Sequence, residues 1–356
     1  MRPFYLTGLL IMLSTGSFLN GHTDPVNICD GPANKLKQES PVLNQQRAIT
    51  KKHLPFPLPL QNRSDSSDSK HTAAAASSNF EEQVTEEWPF PCNRDSIKRY
   101  TAYYTPAAPT IDGQLDEKIW NKVTRSPRFV DLVSGAETIH ETRAAVLWDD
   151  QNLYVAFWHE EPFVQGSMTE RNAPLYQENN AEVFIAGKDA YYEFEINTLG
   201  TRYEAFFIWE EAYEDGGFNA NPAFQRSNPL VKKFNGVGFD THPRGLRLGS
   251  WDFYFPGLQS GVYVDGTLND NSDRDRGWTV ELAFPWDGMK WLAKADHRPL
   301  PPRDKDTWRI DFSRFNPYNE APPADDSGGW TWSSHGVWDS HIPECFPFIT
   351  FSRDTL

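Results

Sequence analysis

From Tyr100 onward the chain is built of short apolar runs separated by turn residues. The runs RAAVLW at 143–148 and LYVAFW at 153–158 flank DDQN at 149–152, turn chemistry that joins antiparallel strands. Both are apolar on alternate and intervening positions alike, the pattern of inner strands covered on two faces. EVFI at 182–185, YYEFEIN at 191–197 and the run 201–209 follow, connected through Gly187 and Gly200. WTVELAF at 278–284, WRIDFS at 308–313 and FITF at 348–351 continue the series. Only residues 115–123, after the turn IDG at 111–113, and residues 287–294 carry a short helical pattern. The spacing predicts an all-β fold, a two-sheet antiparallel β-sandwich with one or two short helices.

The pattern stops before that region. Residues 22–95 are rich in Ser, Pro, Gln, Asn, Lys and Asp, with HLPFPLPL at 53–60, SDSSDS at 64–69 and four alanines at 73–76. Such a stretch buries too little apolar surface to offset its ordering entropy and reads as a disordered linker. All 13 Trp lie at or beyond Trp88, so the core belongs to a single domain over residues 96–354. Residues 1–21 have the layout of a signal peptide: Arg2, an apolar run at 4–13, then small residues at 14–17. That run is too short to span a bilayer, so the mature product is expected to be secreted.

Charge narrows the partners. A formal net charge of −15 without a Lys/Arg cluster argues against nucleic acid and against anionic membranes. Three cysteines, Cys29, Cys92 and Cys345, allow one disulfide and one thiol. Cys92 and Cys345 flank the domain and close a large loop if its first and last strands are neighbours; the other reading makes Cys345 a small buried apolar residue. Asp270, Asp273 and Asp275 offer oxygen ligands for calcium, or a polar hairpin turn. No other cofactor is suggested. The motifs of zinc proteases, serine hydrolases, nucleotide-binding loops and dinucleotide folds are missing, while abundant carboxylates leave a glycosidase pair open.

Two stretches carry candidate binding chemistry. In YYEFEIN, period-two alternation puts Tyr191, Glu193, Glu195 and Asn197 on one face and Tyr192, Phe194 and Ile196 on the other. The first face combines an aromatic ring with carboxylates and an amide, as a surface for sugar rings and hydroxyls requires, or as an ordinary solvated sheet face would show. Near the C-terminus WTWSSHGVW at 330–338 places Trp330, Trp332 and Trp338 within nine positions of a loop-rich segment. They mark a ligand site or, for two of them, the core.

These residues resemble carbohydrate-binding module family 9, within the DOMON-like β-sandwich superfamily. The carriers are IDGQLDEKIW at 111–120, VLWDDQNLYV at 146–155, EVFI at 182–185 with YYEFEIN, VDGTLN at 264–269, GWTVELAFPW at 277–286, WRIDFSR at 308–314, WTWS at 330–333 and HIPE at 341–344. The resemblance implies a sugar held between two aromatic rings, here Tyr176 and Trp338, with Glu182 and Asn197 on its hydroxyls. Glu195 stands where such modules carry Arg, Tyr176 where they carry Trp, and Asn180 where they often carry Asp. The implied function is non-catalytic binding of a glucan- or xylan-type polysaccharide or its chain ends. A glycoside hydrolase or hydrolase accessory acting in carbohydrate catabolism is the alternative. A haem sandwich of the same superfamily is a third reading, with Met168 or Met289 opposite His159 or His140.

Overall fold

A computed structural model describes residues 87–317 and 320–356. The signal segment 1–21, Cys29 and the linker up to residue 86 lie outside the described residues. The strands are β1 (Arg99–Tyr104), β2 (Val130–Asp131), β3 (Thr142–Trp148), β4 (Asn152–Glu160), β5 (Asn180–Ala186), β6 (Ala190–Asn197) and β7 (Arg202–Trp209). They continue as β8 (Val231–Phe234), β9 (Arg247–Ser250), β10 (Gln259–Asp265), β11 (Gly277–Pro285), β12 (Thr307–Phe315), β13 (Gly329–Thr331) and β14 (Phe348–Thr355). Their hydrogen-bonded order is β10-β11-β4-β3-β1-β14-β12-β5-β6-β7-β9-β8, with β13 on β12 and β2 on β13.

This one continuous sheet folds into two layers. Phe157 of β4 meets Phe312 of β12 at a ring-centroid distance of 6.1 Å, and Phe284 of β11 meets Phe194 of β6 at 5.7 Å. Alternation sets the faces. On β4, Leu153, Val155 and Phe157 enter the core between the layers; on β6, Tyr192, Phe194 and Ile196 do so. Pairing is antiparallel except at β1, which runs parallel to both β14 and β3 where one layer passes into the other.

Both outer faces are covered as well, which is why few strand residues are exposed. Over β3, β4 and β11, the short helix Lys118–Lys122 brings Trp120 against Leu147, Tyr154 and Ala156. Glu281 of β11 secures that cover: its carboxylate accepts from Trp120 Nε1 at 2.6 Å and from the Gly113 N–H at 2.9 Å. Gly113 has φ +89°, and a Cβ there would stand 2.5 Å from the backbone of Val262. The IDG turn therefore needs glycine both for its conformation and for its close approach to β10.

Two expectations shift. The helical pattern at 115–123 condenses to Lys118–Lys122, and that at 287–294 to a 3-10 turn, Trp286–Met289, followed by Lys290–Ala293. The packed domain also starts before residue 96, because Cys92 joins Ile97, Ile342 and Cys345 in a small cluster against which Trp88 and Phe90 pack. Cys92 and Cys345 are disulfide-bonded, with Cα atoms 5.8 Å apart across 253 positions. Among the described residues no helix is long and apolar enough to cross a membrane.

Candidate functional site

The outer face of the β12-β5-β6-β7 layer is where alternation collects polar side chains. Register places Ser313 opposite Glu182, Glu182 opposite Glu195, and Glu195 opposite Tyr203, a row across four strands. The next row runs Asp311, Phe184, Glu193 and Ala205. One nitrogen, Nδ2 of Asn180, donates to Glu182 Oε1 at 2.8 Å and to Glu195 Oε2 at 3.0 Å. Ser313 Oγ donates to the other oxygen of Glu182 at 2.8 Å.

This face is buried rather than solvated, with Glu182 and Glu195 each only 2% exposed and Glu193 5%. Burial pushes Glu182 up to about 7, against the hydrogen bonds from Ser313 and Asn180. Burial, then the charge of Glu182, holds Glu193 and Glu195 well above the usual carboxylate range. His341 Nε2 stands 3.6 Å from Glu193 Oε1, and burial pushes the imidazole down to about 4. At neutral pH Glu182 is therefore poised between its donor and acceptor forms, and Glu193 and Glu195 shift in the same direction.

Aromatic groups rim the acidic row. Tyr176 lies in the one-turn 3-10 segment Leu175–Gln177, which packs on β6 and β12. Leu175 is fully buried and anchors the turn, leaving Tyr176 49% exposed. The Tyr176 backbone N–H faces the Glu195 carboxylate and, with Asn180, partly counters the burial that raises it. Trp338 is half-buried, packs edge-on against Phe315 at 5.2 Å and lies over Gly329, whose absent Cβ leaves room for the indole. Phe315 joins the same network, since its N–H donates to Asn180 Oδ1 at 2.7 Å. Tyr203, opposite Glu195, accepts from Trp251 Nε1 at 2.6 Å, and both are half-buried.

Three predicted binding residues take other roles. Trp330 and Trp332 are 0% and 1% exposed and belong to the main core, so neither can offer a ring to a ligand. Trp330 Nε1 donates to Asp326 at 2.7 Å, and Trp332 packs on Phe312 at 5.1 Å. Asn197 is fully buried: Nδ2 donates to Glu178 and to the Met168 carbonyl, while Oδ1 accepts from the Leu199 and Thr201 N–H groups. It shapes the β6–β7 turn. Ser313 and Tyr203 were not singled out in the sequence, although the period of two on β7 and β12 assigns them to this face once register is known; Asn180 entered it only through the resemblance.

Among the described residues no group of three or more His, Cys, Asp or Glu is arranged to hold a metal ion. Asp275 accepts from the Val164 N–H at 2.8 Å and the Thr267 N–H at 2.6 Å, holding the β10–β11 hairpin. Met289 is fully buried, and His159 is stacked on Trp278 at 4.0 Å.

Fold and face together define an all-β sandwich in which one layer buries a polar row beneath its cover, with the rings of Tyr176 and Trp338 at its edge. Residues 111–217 match the sequence model of the family described as Carbohydrate family 9 binding domain-like, in agreement with the resemblance carried by the motifs. A family 9 carbohydrate-binding module from Caldicellulosiruptor kristjanssonii in complex with cellotriose is 14% identical, with a TM-score of 0.41 over 72% of this chain and 95% of that one. The same comparison with that organism's module in complex with glucose gives 15% identity and a TM-score of 0.40, covering 72% of this chain and 97% of that one. A putative carbohydrate-binding protein from Bacteroides uniformis is 15% identical, with a TM-score of 0.43 over 72% of this chain and all 100% of its own. Among curated proteins none matches the chain.

Proposed function

We propose that this is a secreted, non-catalytic carbohydrate-binding protein that takes a glucan- or xylan-type chain or its end at the aromatic rim of the β12-β5-β6-β7 layer, where Tyr176 is exposed and Trp338 half-buried. The observation that carries the reading is that Tyr176, whose backbone N–H faces the Glu195 carboxylate of the Glu182–Asn180–Glu195 network, leaves its ring 49% exposed. An aromatic ring covers the C–H face of a pyranose, and the buried Glu195 behind it accepts from the Tyr176 N–H and holds the turn that presents that ring. Trp338 supplies the second ring and reaches the network through Phe315.

The same network favours binding over turnover. Glu182 and Glu195 share one amide donor and are almost fully buried, which ties down the pair that a glycosidase would need free on opposite sides of the bond it cleaves. The disulfide favours an oxidising compartment, in keeping with export.

Isothermal titration against cello- and xylo-oligosaccharides tests the reading. Saturable binding that weakens at least tenfold in Tyr176→Ala and in Trp338→Ala is expected, together with no release of reducing sugar. Binding that ignores both substitutions, or measurable hydrolysis, would overturn it.

A further inference from the structure

The outer face that is acidic around Glu182 turns basic at its other end. Ala186 lies four residues further along β5, about 13 Å away at the rise of a strand. There a cleft of about 190 Å³ opens between Lys188, Arg244, Arg298 and Arg309, with Glu344 as the single carboxylate in its wall. It is smaller than the pockets that enclose drug-sized ligands, and suits a small group.

The guanidinium groups are held in place before any ligand arrives. Arg309 lies over the Phe348 ring at 3.6 Å and donates to the Phe346 carbonyl at 2.7 Å. Arg298 stacks on Trp308 at 4.8 Å and Arg244 on Trp209 at 4.7 Å. Two of the cations already have carboxylates: Arg244 is paired with Asp189 and Glu211, and Arg298 with Asp296. Glu344 is engaged by His242 at 3.0 Å. Lys188 and Arg309 have no carboxylate within ion-pair distance among the described residues. Burial, with Arg99 and Arg94 nearby, pulls Arg309 down to about 10 against the opposing charge of Glu344, as a guanidinium short of counter-charge should behave.

We propose that this cleft is a second binding site, specific for an oxyanion, a carboxylate or sulfate group, which Lys188 and Arg309 neutralise while the two stacked arginines fix its orientation. Planar, pre-positioned guanidinium donors suit such groups, and the pairing loses little entropy on binding. The site stands independently of the sugar-binding face.

Titration of the full-length protein at low ionic strength with sulfate, acetate, glucuronate and glucose tests it. Saturable binding of sulfate and glucuronate is expected, with none for glucose at this cleft, weakened at least tenfold by Lys188→Gln and by Arg309→Gln and lost with added salt. Glucuronate binding at least tenfold tighter than acetate assigns the oxyanion to an acidic saccharide; equal binding assigns it to a free anion. Absence of saturable binding for every anion overturns the proposal. So does unchanged affinity in Lys188→Gln, whose side chain is exposed and whose loss leaves the fold intact even where Arg309→Gln does not fold.

Discussion

Glu182 and Glu195 stand directly opposite each other on neighbouring strands and are both almost wholly buried. Two carboxylates so placed cannot both ionise at the usual pH without cost. Hydrogen bonds from Asn180 and Ser313 offset only part of it.

Stability should therefore fall as pH rises through neutrality. The folded-state value for Glu182, about 7, lies above its ordinary 4.5, so its contribution is complete below pH 4.5 and is lost as pH climbs through 7. Glu193 and Glu195 shift in the same direction. The unfolding temperature is expected to decline between pH 5 and pH 8, and Glu182→Gln should flatten that decline when followed by differential scanning fluorimetry.

Reduction should destabilise the domain sharply. Opening a disulfide that spans 253 positions removes a constraint on the unfolded chain worth about 5 kcal/mol in the chain-entropy model. Denaturant titrations with and without dithiothreitol measure the difference, and non-reducing peptide mapping should recover Cys92 linked to Cys345 with Cys29 as the remaining thiol.

Glu281 is expected to matter to folding and not to ligands. Glu281→Ala leaves the buried indole N–H of Trp120 and the Gly113 N–H without an acceptor, a loss of about 2–3 kcal/mol. Glu281→Gln keeps one acceptor and should recover part of it. Chemical denaturation of both variants checks the order.

The tryptophans should divide cleanly by assay. Trp330→Ala empties a core position and should cost about 3–5 kcal/mol of stability. Tyr176→Ala removes a half-exposed ring and should leave the unfolding midpoint within about 0.5 kcal/mol while weakening oligosaccharide binding. Denaturation and calorimetry on the two variants separate the roles.

The amino-acid sequence by itself determined the strands, because period-two and doubly apolar runs are local properties: 143–148 and 153–158 became β3 and β4, and YYEFEIN became β6. It also determined which side of β6 enters the core, and brought Tyr176 into view. What it could not determine was burial on the outer face. Glu193 and Glu195 read as a sugar-facing or solvated sheet face, and Glu182 by resemblance as a sugar contact, because nothing nearby in sequence covers them. The cover includes His341 and Phe346, which join Phe184, Tyr191 and Phe207 over that face from some 150 positions later. Trp330, Trp332 and Asn197 were misassigned for the same reason, since a side chain's exposure depends on what packs against it and not on its neighbours along the chain. Only the tertiary structure put Asn180 between two carboxylates, brought Cys92 against Cys345, and gathered Lys188, Arg244, Arg298 and Arg309 around one cleft. Strand order and register, set by long-range pairing, made those juxtapositions.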